Sequence, residues 1–229
     1  MSSRQFDPAI PERMDVADSV TPELETDLGN LQKLNRFFGA YRLIAWYLQR
    51  HLKPGKTYRL LDLCTGSGDI PRFIIQWARR RNILVHIDAV DFLEPTLAIA
   101  RARSKAFAEI SFIRADARLF SADNPYDGVL CSLALHHFSE TDAVVILQNM
   151  RRLARDFVLV ADLERSRLTM LGVWFITATV FRQPMTVYDA RLSARRAFSF
   201  KEFRQLAKIA GWQKIQHRRF LFGRQAISS

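Results

Sequence analysis

Three aspartates end or follow successive apolar segments of the sequence, and the first of them precedes a turn with two glycines. Asp62 closes the segment YRLLDL, and Gly66 and Gly68 follow it within LLDLCTGSGDIP. Asp91 and Asp116 come at the ends of the next two apolar segments. Glycines let a backbone approach a ligand closely, and a carboxylate after the second strand can accept both hydroxyls of a ribose. Asp62 can attract an ammonium group, and Asp116 can reach the amino group of a base.

The glycine turn differs from the two common phosphate-binding loops. The third position of a G-x-G-x-x-G pattern is Pro71 here, and no P-loop lysine follows the turn. The carboxylates and the turn together predict a site for a nucleoside that carries an amino acid and no phosphate, as S-adenosylmethionine does. Each aspartate taken alone is also compatible with a helix cap or a strand-end turn.

Short apolar segments alternate with helical patterns over the middle of the chain. Strands are predicted at 58–63, 84–90, 110–115, 127–133 and 157–161, and helices at 70–80, 95–106 and 140–154. This alternation is typical of a parallel sheet that is covered by helices on both faces. The three aspartates are therefore expected to share a pocket at the carboxyl edge of the sheet.

The flanking segments follow other patterns. A helix is predicted to begin at Thr21-Pro22-Glu23, because a hydroxyl cap, an early proline and first-turn acids favour a helix start. A second helix is predicted at 40–52 and a strongly apolar one at 165–181, which Gln183-Pro184 interrupts. A last helix at 200–210 and two short strands within 212–228 complete the chain, with nothing predicted between 184 and 199.

The composition excludes several classes of protein. The chain has 229 residues, 48% of them hydrophobic, and only two cysteines, so neither general disorder nor a disulfide framework is expected. No apolar stretch is long enough for a spanning helix, which predicts a cytoplasmic protein or one peripheral to a membrane. The net charge is +11, and residues 164–229 carry thirteen basic and three acidic side chains. This excess is compatible with nucleic acid, an anionic lipid surface, an anionic substrate or a solvated face.

Five segments together resemble the class I S-adenosylmethionine-dependent methyltransferases. LLDLCTGSGD, AVDFLEPTLAIAR and IRADA are similar to the first three motifs of that class, while YDGVLCSLALHHFSE and RRLARDFVLVADLERS resemble its fourth and fifth strands. The resemblance covers about residues 55–165, and AFSFKEFRQLAKIAGW extends it. It implies an α/β, Rossmann-like sheet of seven mostly parallel strands, the last antiparallel, with helices on both faces and an N-terminal helical cap.

The resemblance also implies a cofactor and the residues that hold it. S-adenosylmethionine is expected to contact nine residues, which are Asp62, Cys64, Gly66, Gly68, Asp91, Phe92, Asp116, Ala117 and Leu133. One of these departs from the family pattern, since Cys64 stands where the family usually has glycine. We therefore expect a slightly stiffer loop at that position and an unchanged cofactor.

Four further segments resemble a bacterial subfamily that methylates small molecules. They are ERMD, LGNLQKLNRFFG, LALHHF and ARLSARRAF. The likeness implies O- or C-methylation of a phenolic, quinone-like or polyketide acceptor by a monomer or homodimer that uses no metal. His136 and His137 lie just past the fourth strand, where a histidine of near-neutral pKa suits removal of an acceptor proton. Either histidine can instead serve only to order the loop.

The segments outside the strand-helix alternation are predicted to surround the acceptor. Residues 1–54 are expected to form an N-terminal arm and helical cap, and 55–229 the methyltransferase domain with a substrate lid at 164–195. The residues predicted to bind the acceptor are Phe38, Tyr41, Arg165, Trp174, Tyr188 and Arg191. Core packing is the alternative for the apolar stripe of the lid, and a solvated loop is the alternative for its polar residues.

Two other functions are compatible with the same motifs. An RNA methyltransferase could use the basic last third of the chain, although SLAL stands where an amine-positioning NPPY-like tetrapeptide would be expected. A binding protein could have retained the cofactor fold without catalysis. A small-molecule acceptor and no nucleic-acid partner are predicted, and peripheral contact with a membrane surface is compatible with the same features.

Overall fold

The computed structural model describes residues 3–229 as one sheet with helices on both faces. The strands are β1 (Thr57–Leu63), β2 (Leu84–Asp91), β3 (Ile110–Arg114), β4 (Tyr126–Ser132), β5 (Ala154–Leu163), β6 (Gln216–Phe220) and β7 (Arg224–Ser228). The helices are α1 (Pro22–Phe37), α2 (Ala40–His51), α3 (Asp69–Arg79), α4 (Glu94–Arg103), α5 (Glu140–Leu153), α6 (Arg167–Thr179), α7 (Pro184–Arg196) and α8 (Phe200–Ile209). Two short 3-10 helices cover Arg13–Val16 and Leu135–His137.

The strand order is β3-β2-β1-β4-β5-β7-β6, and the first five strands of the chain are parallel to one another. The last strand, β7, runs antiparallel to both of its neighbours, β5 and β6. The predicted fold class is thus confirmed. The order reverses between β1 and β4, and ligands of open α/β sheets bind outside the carboxyl ends of the strands at such a point.

Both faces of the central strands β1, β4 and β5 are buried, which explains their almost continuous apolar runs. Successive side chains of a strand point to opposite faces. Leu60 belongs to the core beneath α2 and α3, with Leu43 and Ile74, whereas Leu61 packs into the core beneath α5 and α8, with Ile146 and Phe203. An alternating apolar and polar pattern would leave one of these cores unfilled.

The first helix begins where the sequence predicts. The Thr21 side chain accepts a hydrogen bond from the Leu24 N–H, and Pro22 occupies the first turn. Gly39 separates α1 from α2 with a left-handed φ of +84°. Residues ahead of α1 pack against α7 over a long sequence distance, since the Asp189 carboxylate accepts hydrogen bonds from the Arg13 and Met14 N–H groups.

Residues 184–199 contain a helix that the sequence patterns do not reveal. Gln183-Pro184 does interrupt the apolar helix, but α7 begins directly after the break. The Gln183 side chain accepts a hydrogen bond from the Thr186 N–H at 2.7 Å, and Pro184 stands in the first turn. Gln183-Pro184 therefore ends the apolar segment and also begins α7. None of the helices within residues 3–229 combines the length and apolar character that crossing a membrane requires.

Candidate functional site

A cavity of about 790 Å³ lies at the carboxyl ends of the parallel strands. Its wall includes Asp62 from β1, Asp91 from β2, Asp116 after β3 and Ser132 from β4. Side chains of α1 and α6 and residues of the N-terminal arm complete it. This size is usual for a cavity that binds a cofactor or another small molecule.

Asp62 presents an unpaired oxygen to this cavity. Its Oδ2 accepts a 2.7 Å hydrogen bond from the Thr65 hydroxyl, but its buried Oδ1 has no partner among the described residues. Burial, reinforced by the nearby carboxylates of Asp69 and Asp91, raises the pKa of Asp62 to about 7. A cationic ligand at Oδ1 would favour the ionised form.

Asp91 connects the glycine turn to the end of β2. Its carboxylate accepts hydrogen bonds from the Gly66 N–H at 2.8 Å and the Leu93 N–H at 3.1 Å, while burial raises its pKa. Gly66 adopts a left-handed φ of +55°, and a Cβ atom there would meet no described atom within 4 Å. The turn thus leaves backbone space beside the carboxylate that a ligand can approach.

Three more residues around the turn have left-handed backbones. Gly68 caps α3 with a φ of +71° and lies behind the cavity wall, where a Cβ atom would come within 2.9 Å of the Phe112 ring. Cys64 and Leu133 do line the cavity, with φ angles of +58° and +55°. Both cysteines are free thiols, and a hydrogen bond between Cys64 and Cys131, together with burial, raises the pKa of Cys64.

The adenine-side candidates lie together on the wall after β2 and β3. Phe92, Asp116 and Ala117 all contribute to the cavity. The Arg118 guanidinium, 2.6 Å from the Asp116 carboxylate, lowers the pKa of that carboxyl. Asp116 is thus held ionised beside the cavity.

His136 forms a buried pair with the end of β5. Its Nδ1 lies 2.6 Å from Asp162 Oδ1, and its backbone N–H donates to Asp162 Oδ2 at 3.1 Å. The side chain is 3% exposed. The two contacts fix the orientation of the ring and leave Nε2 as the nitrogen available to a ligand.

His137 lies next to His136 and faces two acids of the N-terminal arm. Its Nδ1 lies 2.8 Å from Asp15 Oδ2, and its Nε2 lies 3.7 Å from Glu12 Oε2. Burial favours the neutral ring, but the carboxylates of Glu12 and Asp15 outweigh that effect and raise the pKa of His137 to about 10. His137 is therefore an imidazolium at neutral pH.

Sequence reasoning did not assign roles to Glu12 and Asp15, although both line the cavity. Their only signal is the ERMD segment, which is part of the family resemblance. The Ser193 hydroxyl of α7 donates to Glu12 Oε1 at 2.8 Å, and Asp189 of the same helix anchors the adjacent backbone. Contacts between the arm and α7 thus position Glu12 and Asp15 beside His137.

Glu12, His136 and His137 also form a group with the composition of a metal site. One ligand atom from each lies within 4.8 Å of the others. Both Nδ1 atoms are bound to carboxylates, an arrangement that orients histidines around metals. Glu12 and Asp15 raise the pKa of His137, so a metal at its Nε2 would have to displace a proton at neutral pH.

Of the predicted acceptor-binding residues, Phe38 lines the cavity. Tyr41 and Arg165 face other parts of the protein. The Tyr41 hydroxyl donates to Asp69 Oδ2 at 3.1 Å and its ring stacks on Phe73, while buried Arg165 donates to the Ala197 carbonyl and the Glu202 carboxylate. Both residues thereby support the elements around the site rather than its wall.

The other three candidates lie on the outer side of the lid helices and not on the cavity wall. Trp174 is 54% exposed, and Tyr188 stacks beneath the Arg13 guanidinium. Arg191 donates from Nε to the Thr177 hydroxyl at 3.0 Å. Helix α6 contributes other residues to the cavity, among them Gly172, Val173 and Ile176.

The comparisons with known proteins agree with this geometry. A family model described as a methyltransferase domain matches residues 60–156, which run from β1 into β5. The chain is an S-adenosylmethionine-dependent methyltransferase, and S-adenosylmethionine is its cofactor. The unpaired Asp62 oxygen and the open backbone at Gly66 fit the ammonium and the close approach of that cofactor.

Particular relatives can be named. The chain is 27% identical to the 2-phytyl-1,4-naphtoquinone methyltransferase of Thermosynechococcus vestitus over 180 residues, covering 73% of this chain and 78% of the relative. It is 26% identical to the demethylmenaquinone methyltransferase of Bacillus cytotoxicus over 191 residues, or 77% and 78% of the two chains. Among solved structures, the plantazolicin methyltransferase BpumL in complex with SAH superposes with a TM-score of 0.66 at 16% identity, covering 90% of each chain.

Proposed function

We propose that this methyltransferase acts on a lipophilic small molecule with a phenolic, quinol or enol hydroxyl, at that oxygen or at a neighbouring ring carbon. The observation that carries the proposal is a mostly apolar cavity with His136, which is paired with buried Asp162, in its wall. The quinone methyltransferases among the relatives support the same acceptor class.

Bound S-adenosylmethionine supplies an electrophilic methyl group on a positively charged sulfur. In our proposal Asp62 accepts the ammonium of its amino-acid part and Asp91 accepts the ribose hydroxyls. Asp116 binds the base, Cys64, Phe92, Ala117 and Leu133 pack against the ligand, and Gly68 shapes the turn from behind. These contacts would hold the methyl group in line with the acceptor, and alignment of this kind accounts for much of the rate of such displacements.

The two histidines take different parts in the proposed reaction. His136 Nε2 accepts the proton of the acceptor hydroxyl, and Asp162 stabilises the resulting imidazolium through Nδ1. His137, already charged between Asp15 and Glu12, stabilises negative charge on the acceptor oxygen as the proton leaves. No metal takes part in this proposal.

The RNA alternative has no comparable support. RNA recognition outside duplexes needs exposed aromatic side chains and a basic groove. Residues 164–229 contain thirteen basic side chains, and among the described residues only Arg224 of these lines the cavity. Its guanidinium donates a hydrogen bond to the Phe38 carbonyl. The basic excess therefore lies outside the site.

Methyl transfer from labelled S-adenosylmethionine to a panel of phenols and quinols tests the proposal. We expect His136→Asn to lower kcat by about 100-fold or more, because general-base catalysis contributes on that scale. His86→Asn is the matched control, since His86 is exposed on β2 away from the cavity. Unchanged turnover in both His136→Asn and His137→Asn would exclude a histidine base, and transfer to RNA alone would contradict the acceptor class. A chelator should leave turnover unchanged.

A further inference from the structure

An exposed apolar surface adjoins the cavity on its outer side. Three side chains of α6 form one stripe of it, and the end of α1 and the turn between β6 and β7 supply the rest. Its members, each more than half exposed, are Phe37, Leu168, Leu171, Phe175, Leu221 and Phe222. We refer to these six residues as the apolar rim. A contiguous surface of this kind usually marks a partner or a membrane.

The three segments of the apolar rim are held together by direct contacts. The Phe38 and Phe222 rings pack edge to face at 5.4 Å between centroids. A Cβ atom at Gly223 would lie 2.2 Å from Thr169 Oγ1, so the β6–β7 turn packs closely against α6. The rim is therefore one surface of the fold.

The apolar rim is continuous with the cavity wall. Leu168 and Phe222 belong to both, and Phe38, next to Phe37, lines the cavity. On α6 the exposed stripe of Leu168, Leu171 and Phe175 lies beside the cavity-facing residues Gly172 and Ile176, since 3.6 residues complete a turn. An apolar molecule can thus pass from the outer surface to the cavity over apolar side chains.

The segments that carry the apolar rim are basic, and the neighbouring carboxylate of Glu164 is paired with Arg219. Residues 33–42, 166–188 and 216–224, which contain all of the rim, include eight basic side chains and no aspartate or glutamate. Five of the basic residues are exposed on or next to α1 and α6, namely Lys33, Arg36, Arg42, Arg167 and Arg182. Apolar side chains surrounded by cations fit the interface of a bilayer with anionic headgroups.

From this arrangement we infer that the apolar rim docks the enzyme on an anionic lipid bilayer, from which the acceptor enters the cavity. The inference rests on the proposed function in one respect, which is that the acceptor is lipophilic. It also accounts for part of the +10 excess of the last third of the chain. Docking inserts the α6 stripe and the β6–β7 turn between headgroups while the basic side chains contact lipid phosphates.

Sedimentation with vesicles tests the docking surface. The full chain should bind vesicles of phosphatidylglycerol and phosphatidylcholine, and more weakly those of phosphatidylcholine alone. Leu171→Glu with Phe175→Glu should weaken binding by at least about tenfold, because two exposed apolar anchors become charged. Lys33→Gln with Arg36→Gln should weaken binding to the anionic vesicles by about five-fold for each charge removed.

The matched control is Leu84→Glu with Ile209→Glu, which places two charges at equally exposed apolar positions outside the rim. Equal vesicle binding by the two double variants would overturn the inference, as would a wild-type protein that sediments with neither vesicle. A wild-type protein that is a dimer without lipid, and that the double variant Leu171→Glu with Phe175→Glu converts to a monomer, would also overturn the inference, because the rim would then be a dimer interface. Leu171→Glu with Phe175→Glu should still methylate a short, water-soluble phenol. If the wild type methylated no acceptor at all, that result would contradict the proposed function and leave the docking inference standing.

Discussion

The two sides of the cavity are assembled from the chain in different ways. The side that we propose binds the cofactor, the cofactor side, comes from the ends of β1, β2 and β3 and from the turns that follow them, so that Asp62, Gly66 and Asp91 lie within 30 residues. Parallel strands bring these residues to one edge without any help from distant segments. Their positions follow from the strand pattern.

The side that we propose binds the acceptor, the acceptor side, joins segments from both ends of the chain. Asp15 meets His137 across 122 residues, and the Ser193 hydroxyl reaches Glu12 across 181. Every one of these contacts depends on the arm lying against α7. The acceptor side is therefore determined by tertiary packing, and substitutions there should alter the arm as well as the chemistry.

The difference explains why a shared fold specifies the cofactor better than the acceptor. The residues proposed to surround the methyl donor are part of the strand-turn-helix units that make the sheet. The residues proposed to surround the acceptor lie on the N-terminal arm and on α6 and α7, which can change without disturbing those units. Substitutions on the two sides should therefore have separable effects on cofactor binding and on acceptor chemistry.

The largest effect is expected on the cofactor side, from Asp91→Ala. The substitution removes the proposed ribose acceptor and also the partner of the Gly66 and Leu93 N–H groups. Cofactor affinity should fall by about 100-fold or more, as the loss of two charge-assisted hydrogen bonds implies. Calorimetric titration with S-adenosylmethionine measures the affinity directly.

Asp88→Asn is the control, because Asp88 lies on the same strand but pairs with Arg59 outside the cavity. The affinity of Asp88→Asn for S-adenosylmethionine should equal that of the wild type. Equal affinities of Asp91→Ala and Asp88→Asn would contradict the ribose assignment. They would also remove the proposed division between the two sides of the cavity.

An intermediate effect is expected on the acceptor side, from Asp15→Asn. The pKa of His137 should fall from about 10 towards the ordinary 6.5, since one of its two neighbouring carboxylates is lost. NMR titration of the ring measures the shift. Asp18→Asn, an exposed change in the same arm, should leave that pKa unchanged.

The same substitution predicts how stability depends on pH. A folded-state pKa above the unfolded value means that protonated His137 contributes stability fully below pH 6.5, and that this contribution disappears as the pH rises through 10. Asp15→Asn should therefore cost about 1–3 kcal/mol near pH 6.5 and less near pH 10. Urea unfolding at the two pH values measures the difference. A deficit that grows with pH would contradict the ion pair.

The signals on the proposed cofactor side are local, so the sequence places these residues at one edge of the sheet before the structure is known. Alternating strands and helices give the sheet, and a strand end followed by a glycine turn gives the positions of Asp62, Asp91 and Asp116. The histidines follow β4 in the same way. Gly68 shows a limit of this reasoning, since a glycine in the motif packs against Phe112 behind the wall.

The acceptor side could not be predicted to the same extent. Glu12 and Asp15 lie in an irregular arm without periodicity, and nothing in their spacing indicates that α7 receives them. Helix α6 is apolar on both its cavity face and its outer face, so hydrophobicity alone could not separate Val173 from Trp174. Such assignments require the packing of the lid.

The smallest effect is expected from Cys64→Gly, at the position that departs from the family pattern. Cys64 holds a left-handed φ of +58°, which costs a residue with a side chain about 1–2 kcal/mol and glycine very little. Loss of the thiol contact with Cys131 and the added freedom of the unfolded chain offset much of that gain. Stability and cofactor affinity should both stay close to the wild-type values.

Cys64→Ala separates these contributions, because alanine loses the thiol but keeps the strained backbone. We expect Cys64→Gly to be about 1 kcal/mol more stable than Cys64→Ala in chemical unfolding, since only glycine relieves the φ strain. Cofactor affinity of the two variants should agree within about threefold, because the turn contributes backbone rather than the thiol. An alanine variant as stable as the glycine variant would mean that the loop relaxes at position 64. The left-handed φ at position 64 would then be caused by the cysteine side chain and not imposed by the surrounding turn.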